Sequence, residues 1–567
     1  MTKSIGNKSK LKYIGLGVAI LVVLFAAYLV TGPLSTRPSP PAVLTISMGT
    51  QPSTLDPQKA TGMPNLGIIR LITETLVDAD YQTGELIPLL VERWESTPDA
   101  TTWTLYLRQG VKFHDGTAFN ATAVKFTLER LLDPKTGGAA ASAYSMIKSI
   151  DVKDTYTAVI KTDPYAPFMR LLWYAPSSIV SPSQVKRLGD TFSQQLAGTG
   201  PYKLVEYVRG DHIKLTANDQ YWGGKPKIDT VIVKPIPESG ARLMALESGT
   251  VDFVYAVPPP DIPRLEKNPD IQLIYGIPTR AMHVTLNTKW GPLKDVKVRQ
   301  ALNYAVDKNA INERIFKGRA QVMDAPINDR SFGYAKVGPY AYDPVKAKQL
   351  LKDAGYPDGF EVTLRYGMGR WLMGDEVVEA VASYLSQVGI KVKVEPLEWA
   401  AIQAKNALTV DKSDMQLQFT GLGGVTLDAD RSLNELTKAA WPPSGLEPTF
   451  YENPQYDQLY FKARTTIDPE ARKALYKDAM QIAWNDAPRI FLYFEPQVYA
   501  ARKTVHGVGV RHDETIWMKG ASVDVKQSSQ AIGLLELMPV LNWSALLCCA
   551  GLMKHNGSVR FATRVFL

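Results

Sequence analysis

The stretch FEVTLRYGMGRWLMGDEVVEAVASYLSQVGIKVKVE, Phe360–Glu395, decides the fold class. Alternating apolar residues before the glycine-rich centre predict a strand, and apolar residues at helical spacing after it predict a helix that Gly389 ends. Alternation resumes at Ile390, which predicts a second strand. A strand, a glycine loop, a helix and a further strand in this order indicate an α/β domain whose ligand site lies where the first strand ends.

The loop GMGRWLMG, residues 367–374, leaves three interpretations open. A dinucleotide-binding loop requires a third glycine three residues after the second, where this chain has Leu372. Arg370 offers instead a planar fork for a carboxylate, and the following helix directs its positive end at the loop from near Asp375. In the third interpretation Arg370 is a charge on a surface loop with no ligand.

The first 42 residues are predicted to lie outside the fold, as a membrane anchor or signal followed by a Pro-rich stalk. Four lysines precede an apolar run from Tyr13 to Val30, and one Arg follows it before residue 43. This asymmetry puts the N-terminus in the cytoplasm and the body outside the membrane. The 18-residue run suits an uncleaved anchor, and a cleaved signal peptide is the alternative.

Residues 525–567 are predicted to form an atypical tail without a role in the functional fold, because capped helices and clear alternation end there. The tail holds both cysteines, Cys548 and Cys549, so neither a disulfide framework nor a zinc site is expected. The formal charge of +8 belongs to the two ends of the chain. Residues 43–525 carry equal numbers of basic and acidic residues, which argues against a nucleic-acid partner.

The sequence contains no motif that indicates an enzyme. The six histidines form no metal-binding pair, and neither a nucleophile elbow nor a phosphate-binding P-loop occurs. We therefore expect no catalytic residue, cofactor or metal. Short strands and helices alternate between residues 43 and 524, and three helices are predicted to begin at capping residues: Asn120, Asp343 and Asp468.

Several long motifs together resemble one family. They are GVKFHDGTAFNATAVKFTLERLLDP (Gly110–Pro134), GTGPYKLVEYVRGDHIKLTANDQYWGGKPKID (Gly198–Asp229), ALESGTVDFV (Ala245–Val254), LNTKWGPLKDVKVRQALNYAVDKNAI (Leu286–Ile311) and YDPVKAKQLLKDAGYPDGFEVTL (Tyr342–Leu364). They resemble the dipeptide, oligopeptide, nickel and glutathione binding proteins of ABC importers, the family 5 extracytoplasmic solute-binding proteins. The resemblance covers about residues 44–522.

The resemblance implies a large α/β fold like that of periplasmic binding proteins, with two lobes, a hinge and an inserted third domain. The segments that it implies are, for domain I, residues 43–75, 195–283 and 487–524; for domain II, residues 76–194; and for domain III, residues 284–486. Strands that cross between domains I and III would act as the hinge, and the ligand is enclosed when the lobes close.

The resemblance also implies a ligand site. In relatives that bind dipeptides, an arginine in the loop that matches residues 367–374 holds the ligand carboxylate, and this role is carried to Arg370. Trp371, Trp399 and Trp441 are candidate walls, with packing in the core as the alternative. The Gly-Trp-x-x-Asp run that meets the ligand ammonium in those relatives is replaced here by GLGGV. The residues expected on the amine side are therefore Gly423, Gly424, Thr426 and either Asp428 or Asp430; Asp428 is alternatively a helix cap.

The implied function is transport. The protein would act as a monomer that captures a small peptide or peptide-like ligand with a free carboxylate and delivers it to the transmembrane subunits of an ABC permease, without covalent chemistry. Because the ammonium-binding Asp is replaced, a solute of another kind stays open as an alternative, such as an oligosaccharide or a metal chelate. A membrane-tethered sensory receptor is a further alternative.

Overall fold

Most of the described chain is organised around three sheets. The computed structural model describes residues 40–524 apart from 61, 139, 424 and 425, and residues 42–523 form one compact unit. The predicted anchor at 13–30, the stalk as far as residue 39, the tail from residue 525 and Gly424 lie outside the described residues. Within the described residues, no helix combines the length and the apolar character needed to cross a bilayer.

The largest sheet has seven strands, which come from distant parts of the chain. In spatial order they are Ile271–Gly276, Gln497–Arg502, Phe253–Val254, Val43–Met48, Thr230–Pro235, His212–Ala217 and Tyr202–Val208. Val43–Met48 runs parallel to both of its neighbours, and the other pairs are antiparallel. Side chains of a strand alternate between the faces of the sheet, so Leu44 and Ile46 enter the same buried core.

The second sheet has six strands and contains the predicted strand–loop–helix–strand unit. Its order is Gln321–Val322, Arg489–Phe494, Ala281–Leu286, Leu417–Leu422, Glu361–Gly367 and Lys391–Leu397. The last two strands are parallel, and the helix Gly374–Ser386 connects them, which confirms the prediction. Gly389 adopts a φ of +94°, and the N–H of the next residue bonds back to the Leu385 carbonyl. This left-handed turn explains the glycine.

The two faces of the six-stranded sheet differ in chemistry. Met282 and Val284 belong to an apolar core that also contains residues of the helix Gly374–Ser386. The intervening residues point to the other face, where His283 lies opposite Thr420 and Thr285 lies opposite Gln418. One face is therefore a conventional core and the other is a polar surface built into the interior.

The third sheet has four antiparallel strands, in the order Val91–Ser96, Thr102–Leu107, Thr157–Thr162 and Ile147–Asp154. The remaining strands pair as Val77–Ala79 with Leu86–Pro88, Val505–His506 with Ser522–Val523, and Gly509–Val510 with Ile516–Trp517. The α-helices of the described part of the chain are Met63–Ile72, Ala121–Leu132, Phe168–Leu171, Pro182–Leu188, Ser239–Glu247, Ile262–Glu266, Val296–Ala305, Lys308–Ile315, Pro344–Asp353, Gly374–Ser386, Trp399–Asn406, Ala429–Asn434, Pro454–Thr465 and Pro469–Asp486.

The predicted helix starts are confirmed at three capping residues. The side chains of Asn120, Asp343 and Asp468 each accept a backbone N–H from the residue three positions later. Each of them therefore satisfies one of the N–H groups that a first helical turn leaves free.

The chain passes between the seven-stranded and six-stranded sheets at two short segments. Residues 277–280 join strand Ile271–Gly276 to strand Ala281–Leu286, and residues 495–496 join Arg489–Phe494 to Gln497–Arg502. We call these the crossing segments. Sheet membership thus changes at residues 277–280 rather than at the predicted limit 283/284, and at residues 495–496 rather than at 486/487. The predicted domain I segment 487–524 therefore includes the strand Arg489–Phe494 of the six-stranded sheet. The division into domains itself stays a prediction.

Candidate functional site

The loop between strand Glu361–Gly367 and helix Gly374–Ser386 presents Arg370. A Cβ on Gly367 would lie 3.1 Å from the Trp399 ring and 3.2 Å from Cβ of Arg370, so glycine allows both side chains to approach the strand end. Gly369 has a φ of +61° and Met373 a φ of +53°, which turn the backbone sharply before the helix. The local sequence therefore projects Arg370 from a tight turn.

The Arg370 guanidinium lies between two tryptophan rings. Its central carbon is 4.8 Å from the ring centre of Trp371 and 5.1 Å from that of Trp399, and the two rings meet edge to face. Within the described residues, its side chain has neither a hydrogen bond nor an ion pair. Burial and the nearby Arg280 lower the pKa of Arg370, but an arginine stays charged at neutral pH. The loop therefore holds an oriented cation with open donors.

Beside Arg370, a charged cluster ties the loop to both crossing segments. Arg280, in the first crossing segment, places one nitrogen 2.7 Å from each carboxylate oxygen of Glu514, and it lies 3.6 Å from Glu495. Glu495 belongs to the second crossing segment and accepts the backbone N–H of Leu372 at 3.2 Å. Burial raises the pKa of Glu495, and Arg280 opposes that shift.

The helix dipole contributes less than the sequence suggests. Asp375 and Glu376 occupy the first turn of the helix Gly374–Ser386, so its positive end already faces carboxylates. Burial raises the pKa of Tyr366 to about 12, and a hydrogen bond with Asp375 contributes to the same shift. Arg370, rather than the helix end, is therefore the group that an incoming anion meets.

Asp428 has the structural role that the sequence left open. It caps the helix Ala429–Asn434 by accepting the Asp430 N–H at 3.0 Å. Its carboxylate forms an ion pair with Arg472 and lies 3.8 Å from Arg170. The residue is 3% exposed. One oxygen therefore accepts from the Asp430 N–H and Arg472, and the other faces Arg170 without a hydrogen bond from any described residue.

Asp430 is also buried, and it joins two parts of the chain. One carboxylate oxygen accepts the hydroxyl of Tyr165 at 2.8 Å, and the other accepts that of Tyr460 at 2.9 Å. Arg464 lies 3.6 Å away, and burial raises the pKa of Asp430. Tyr165 follows the four-stranded sheet in the chain, so this bond links that region to the helices beside the six-stranded sheet.

A cavity of about 640 Å³ collects some of the predicted residues. Thr426, Asp430 and Trp399 line it, whereas Arg370, Trp371, Gly423 and Asp428 do not. Trp399 therefore touches both the cavity and Arg370. Trp441 donates its indole N–H to the Tyr451 carbonyl and packs edge to face on Phe450, away from this cavity.

Sequence reasoning missed the charged cluster at Arg280 and the polar lining of the cavity. The strand AMHVTL, Ala281–Leu286, shows a usable signal, because His283 and Thr285 alternate with apolar residues. Such a period of two in a central strand indicates a polar inner face. Glu495 and Glu514 carry no comparable signal, since their partner lies more than 200 residues earlier.

Comparison with known proteins identifies the family. Residues 85–443 match the bacterial extracellular solute-binding proteins, family 5. The glutathione-binding protein GsiB of Pectobacterium atrosepticum is 33% identical over 476 residues, covering 82% of this chain and 91% of the relative.

Two solved structures are each 30% identical to this chain. The periplasmic binding protein DppA of Helicobacter pylori, in complex with the peptide STSA, has a TM-score of 0.73 and covers 84% of this chain and 98% of its own. AgaA of A. tumefaciens R10, in complex with agropinic acid, has a TM-score of 0.70 with the same coverage. The predicted fold class, α/β of the periplasmic-binding-protein type, is confirmed. The chain belongs to the bacterial extracellular solute-binding proteins of family 5.

Proposed function

We propose that this protein is the extracytoplasmic solute-binding component of an ABC importer. It captures a small peptide or peptide-like solute between its lobes and delivers the solute to the transmembrane permease subunits, acting as a monomer and without covalent chemistry. The observation that carries the proposal is the Arg370 guanidinium, which lies between Trp371 and Trp399 with its donors open.

A carboxylate fits this position for two reasons. The planar fork of arginine matches a carboxylate in bidentate geometry, and the tryptophan faces restrict the orientations of that fork before the ligand arrives. The neighbouring carboxylates, Glu495 and Glu514, already have Arg280 as a partner. Arg370 is therefore the arginine of this cluster that is available to a ligand.

The link between the loop and the crossing segments supports capture by lobe closure. The Leu372 N–H bonds to Glu495, so the position of the Arg370 loop depends on the segment about which the sheets would rotate. Binding between domains that close on short connections is a common mode of solute capture. Gly423, Gly424, Thr426 and Asp430 remain our proposal for the amine side, whereas the ion pairs of Asp428 support a structural role.

The relatives support two classes of solute. Relatives named for glutathione and a structure with a bound peptide favour a peptide-like ligand. AgaA, whose structure holds agropinic acid, is 30% identical to this chain, as DppA is. It favours a second candidate, a carboxylic acid that is not a peptide. We also propose that residues 13–30 attach the protein to the outer face of the cell membrane, where it meets the permease.

Native mass spectrometry of protein purified without refolding tests the proposal. We expect a bound small molecule that bears a carboxylate, and we expect isothermal titration with added peptides to give dissociation constants near the micromolar range, about −8 kcal/mol. The proposal fails if no small carboxylate co-purifies and neither peptides nor other carboxylic acids bind.

A further inference from the structure

The cavity of about 640 Å³ has a polar wall that Arg370 does not contact. His283, Thr285, Gln418 and Thr420 line it from the polar face of the six-stranded sheet. Ser142 and Ser145 close it from the side of the four-stranded sheet. A volume of this size lies within the usual range of small-molecule sites.

Two of these side chains are buried without a hydrogen-bond partner. His283 is 1% exposed and Thr285 is fully buried; the Thr285 hydroxyl has no partner among the described residues, and the His283 ring has only a weak contact with the Ala281 backbone. Burial lowers the pKa of His283 well below its usual range, so the ring is neutral. Unpaired polar groups in the interior are destabilising, and native proteins pair most of them. Both groups face one cavity, which indicates that its occupant supplies the missing bonds.

Most of the charges around the cavity are paired with each other, which narrows the chemistry of the occupant. Three carboxylates lie at its wall, and three guanidinium groups accompany them. The charged residues are Asp430, Glu435, Glu447, Arg431, Arg464 and Arg489. Asp430 lies beside Arg464, and Glu435 and Glu447 both contact Arg489, so these charges already have partners in the protein. The buried groups left without a hydrogen bond to a described residue are the neutral imidazole of His283, the Thr285 hydroxyl and Oε1 of Glu447, whose pKa burial raises. These groups pair best with a neutral group that both donates and accepts.

Trp399 is shared by the cavity and the carboxylate site. Its ring lines the cavity and lies 5.1 Å from the Arg370 guanidinium carbon. We propose that the cavity binds a neutral hydrogen-bonding group, a hydroxyl or an amide, of the same solute whose carboxylate Arg370 binds, with His283 and Thr285 as its specificity-determining contacts. This inference rests on the proposed function.

Pairs of tripeptides that differ in one polar group test the inference by isothermal titration. The probes are tripeptides of Ala in which one position at a time carries a test residue. One pair compares Thr with Val at that position, and the other compares Gln with Met. At one position we expect the polar peptide to bind at least about tenfold more tightly, because a site built for a hydrogen bond rejects the isostere that lacks it. Thr285→Val or His283→Leu then removes most of that preference, and the Thr and Gln peptides distinguish a hydroxyl from an amide.

A second measurement does not depend on any ligand. Since the Thr285 hydroxyl has no partner, Thr285→Val leaves the melting temperature of the free protein unchanged or higher. Thr449→Val is the matched control, because Thr449 also has a buried, unpaired hydroxyl but does not line the cavity. We expect it to leave both stability and the peptide preference unchanged.

Three results would overturn the inference. Equal binding of both members of every peptide pair, with carboxylate-dependent binding intact, refutes the polar subsite but leaves the proposed function standing. A fall of several degrees in melting temperature for Thr285→Val shows that the hydroxyl has a structural partner. Failure of every peptide to bind overturns the proposed peptide function, and the inference with it.

Discussion

Replacing Arg370 with alanine should weaken solute binding by about 2 kcal/mol, or roughly thirtyfold. Each hydrogen bond to a charged group contributes about 1.5–3 kcal/mol net, and the exposed side of the guanidinium places this pair near the lower end of that range. The guanidinium carbon lies 4.8 and 5.1 Å from two tryptophan ring centres. This packing restricts the fork before binding, so little side-chain entropy is lost when the carboxylate arrives.

The assay is a double-mutant cycle by isothermal titration. The wild type and Arg370→Ala are each titrated with one peptide that carries either a free C-terminal carboxylate or a C-terminal amide. If Arg370 binds this carboxylate, the variant loses about thirtyfold for the acid and little for the amide, so the coupling energy is about 2 kcal/mol. Arg370→Lys keeps the charge but not the planar fork, so its affinity for the acid peptide should lie between those of the wild type and Arg370→Ala.

A matched control separates this contact from a general loss of charge. Arg93 is also an exposed arginine over an aromatic ring, but it lies in the four-stranded sheet, away from the loop and the cavity. Arg93→Ala should leave both affinities unchanged. Equal losses for acid and amide peptides in Arg370→Ala, or no loss for either, would refute the assignment of Arg370 as the carboxylate contact.

Three further predictions concern buried charges. Asp428→Asn keeps the helix cap but leaves the buried Arg472 without its carboxylate, whereas Arg170 keeps Glu85 as a partner. The free energy of unfolding should therefore fall by about 3–5 kcal/mol in chemical denaturation. The exposed cap Asp468→Asn is the control, and a loss of ligand affinity without loss of stability would contradict this role. Burial raises the pKa of Glu74 from 4.5 to about 7, so the folded protein retains a proton that the unfolded chain releases. The contribution of Glu74 to the free energy of unfolding therefore declines as pH rises from about 4.5 to 7. Glu74→Gln should remove this part of the difference in the free energy of unfolding between pH 5 and pH 8, measured by chemical denaturation. An unchanged difference would contradict this role of Glu74. Arg280→Gln removes the cation that neutralises Glu495 and Glu514 beside the loop. These two carboxylates should then attract Arg370 away from the ligand and weaken carboxylate binding at least about tenfold. An unaltered affinity would show that Arg370 does not respond to these carboxylates.

The local parts of the fold could be predicted because their causes lie within a few residues. The unit from Phe360 to Glu395 has its alternation, its helical spacing and its capping glycine in one stretch, and the structure confirms it. The helix starts at Asn120, Asp343 and Asp468 follow from one side chain and a backbone N–H three residues later. The projection of Arg370 from a glycine turn is local in the same way.

The rest depends on partners that the sequence separates widely. Asp428 meets Arg472 and Arg170, and Arg280 meets Glu514, so their roles follow from the packing of whole lobes. The strand Arg489–Phe494 pairs with Ala281–Leu286, about 200 residues earlier, and this pairing sets where the chain changes sheets. Pattern analysis describes each strand but not its neighbour, because every apolar strand can pair with several others.

The two crossing segments are bonded to each other, since the N–H of Glu495 donates to the carbonyl of Arg280 at 2.9 Å. Two connections bonded side by side share one hinge axis. Rotation about their common direction stays easy, whereas shear or twist of one half against the other would break that bond. In the lobe closure proposed above, this bond would keep the two segments side by side, so that both turn about a common direction.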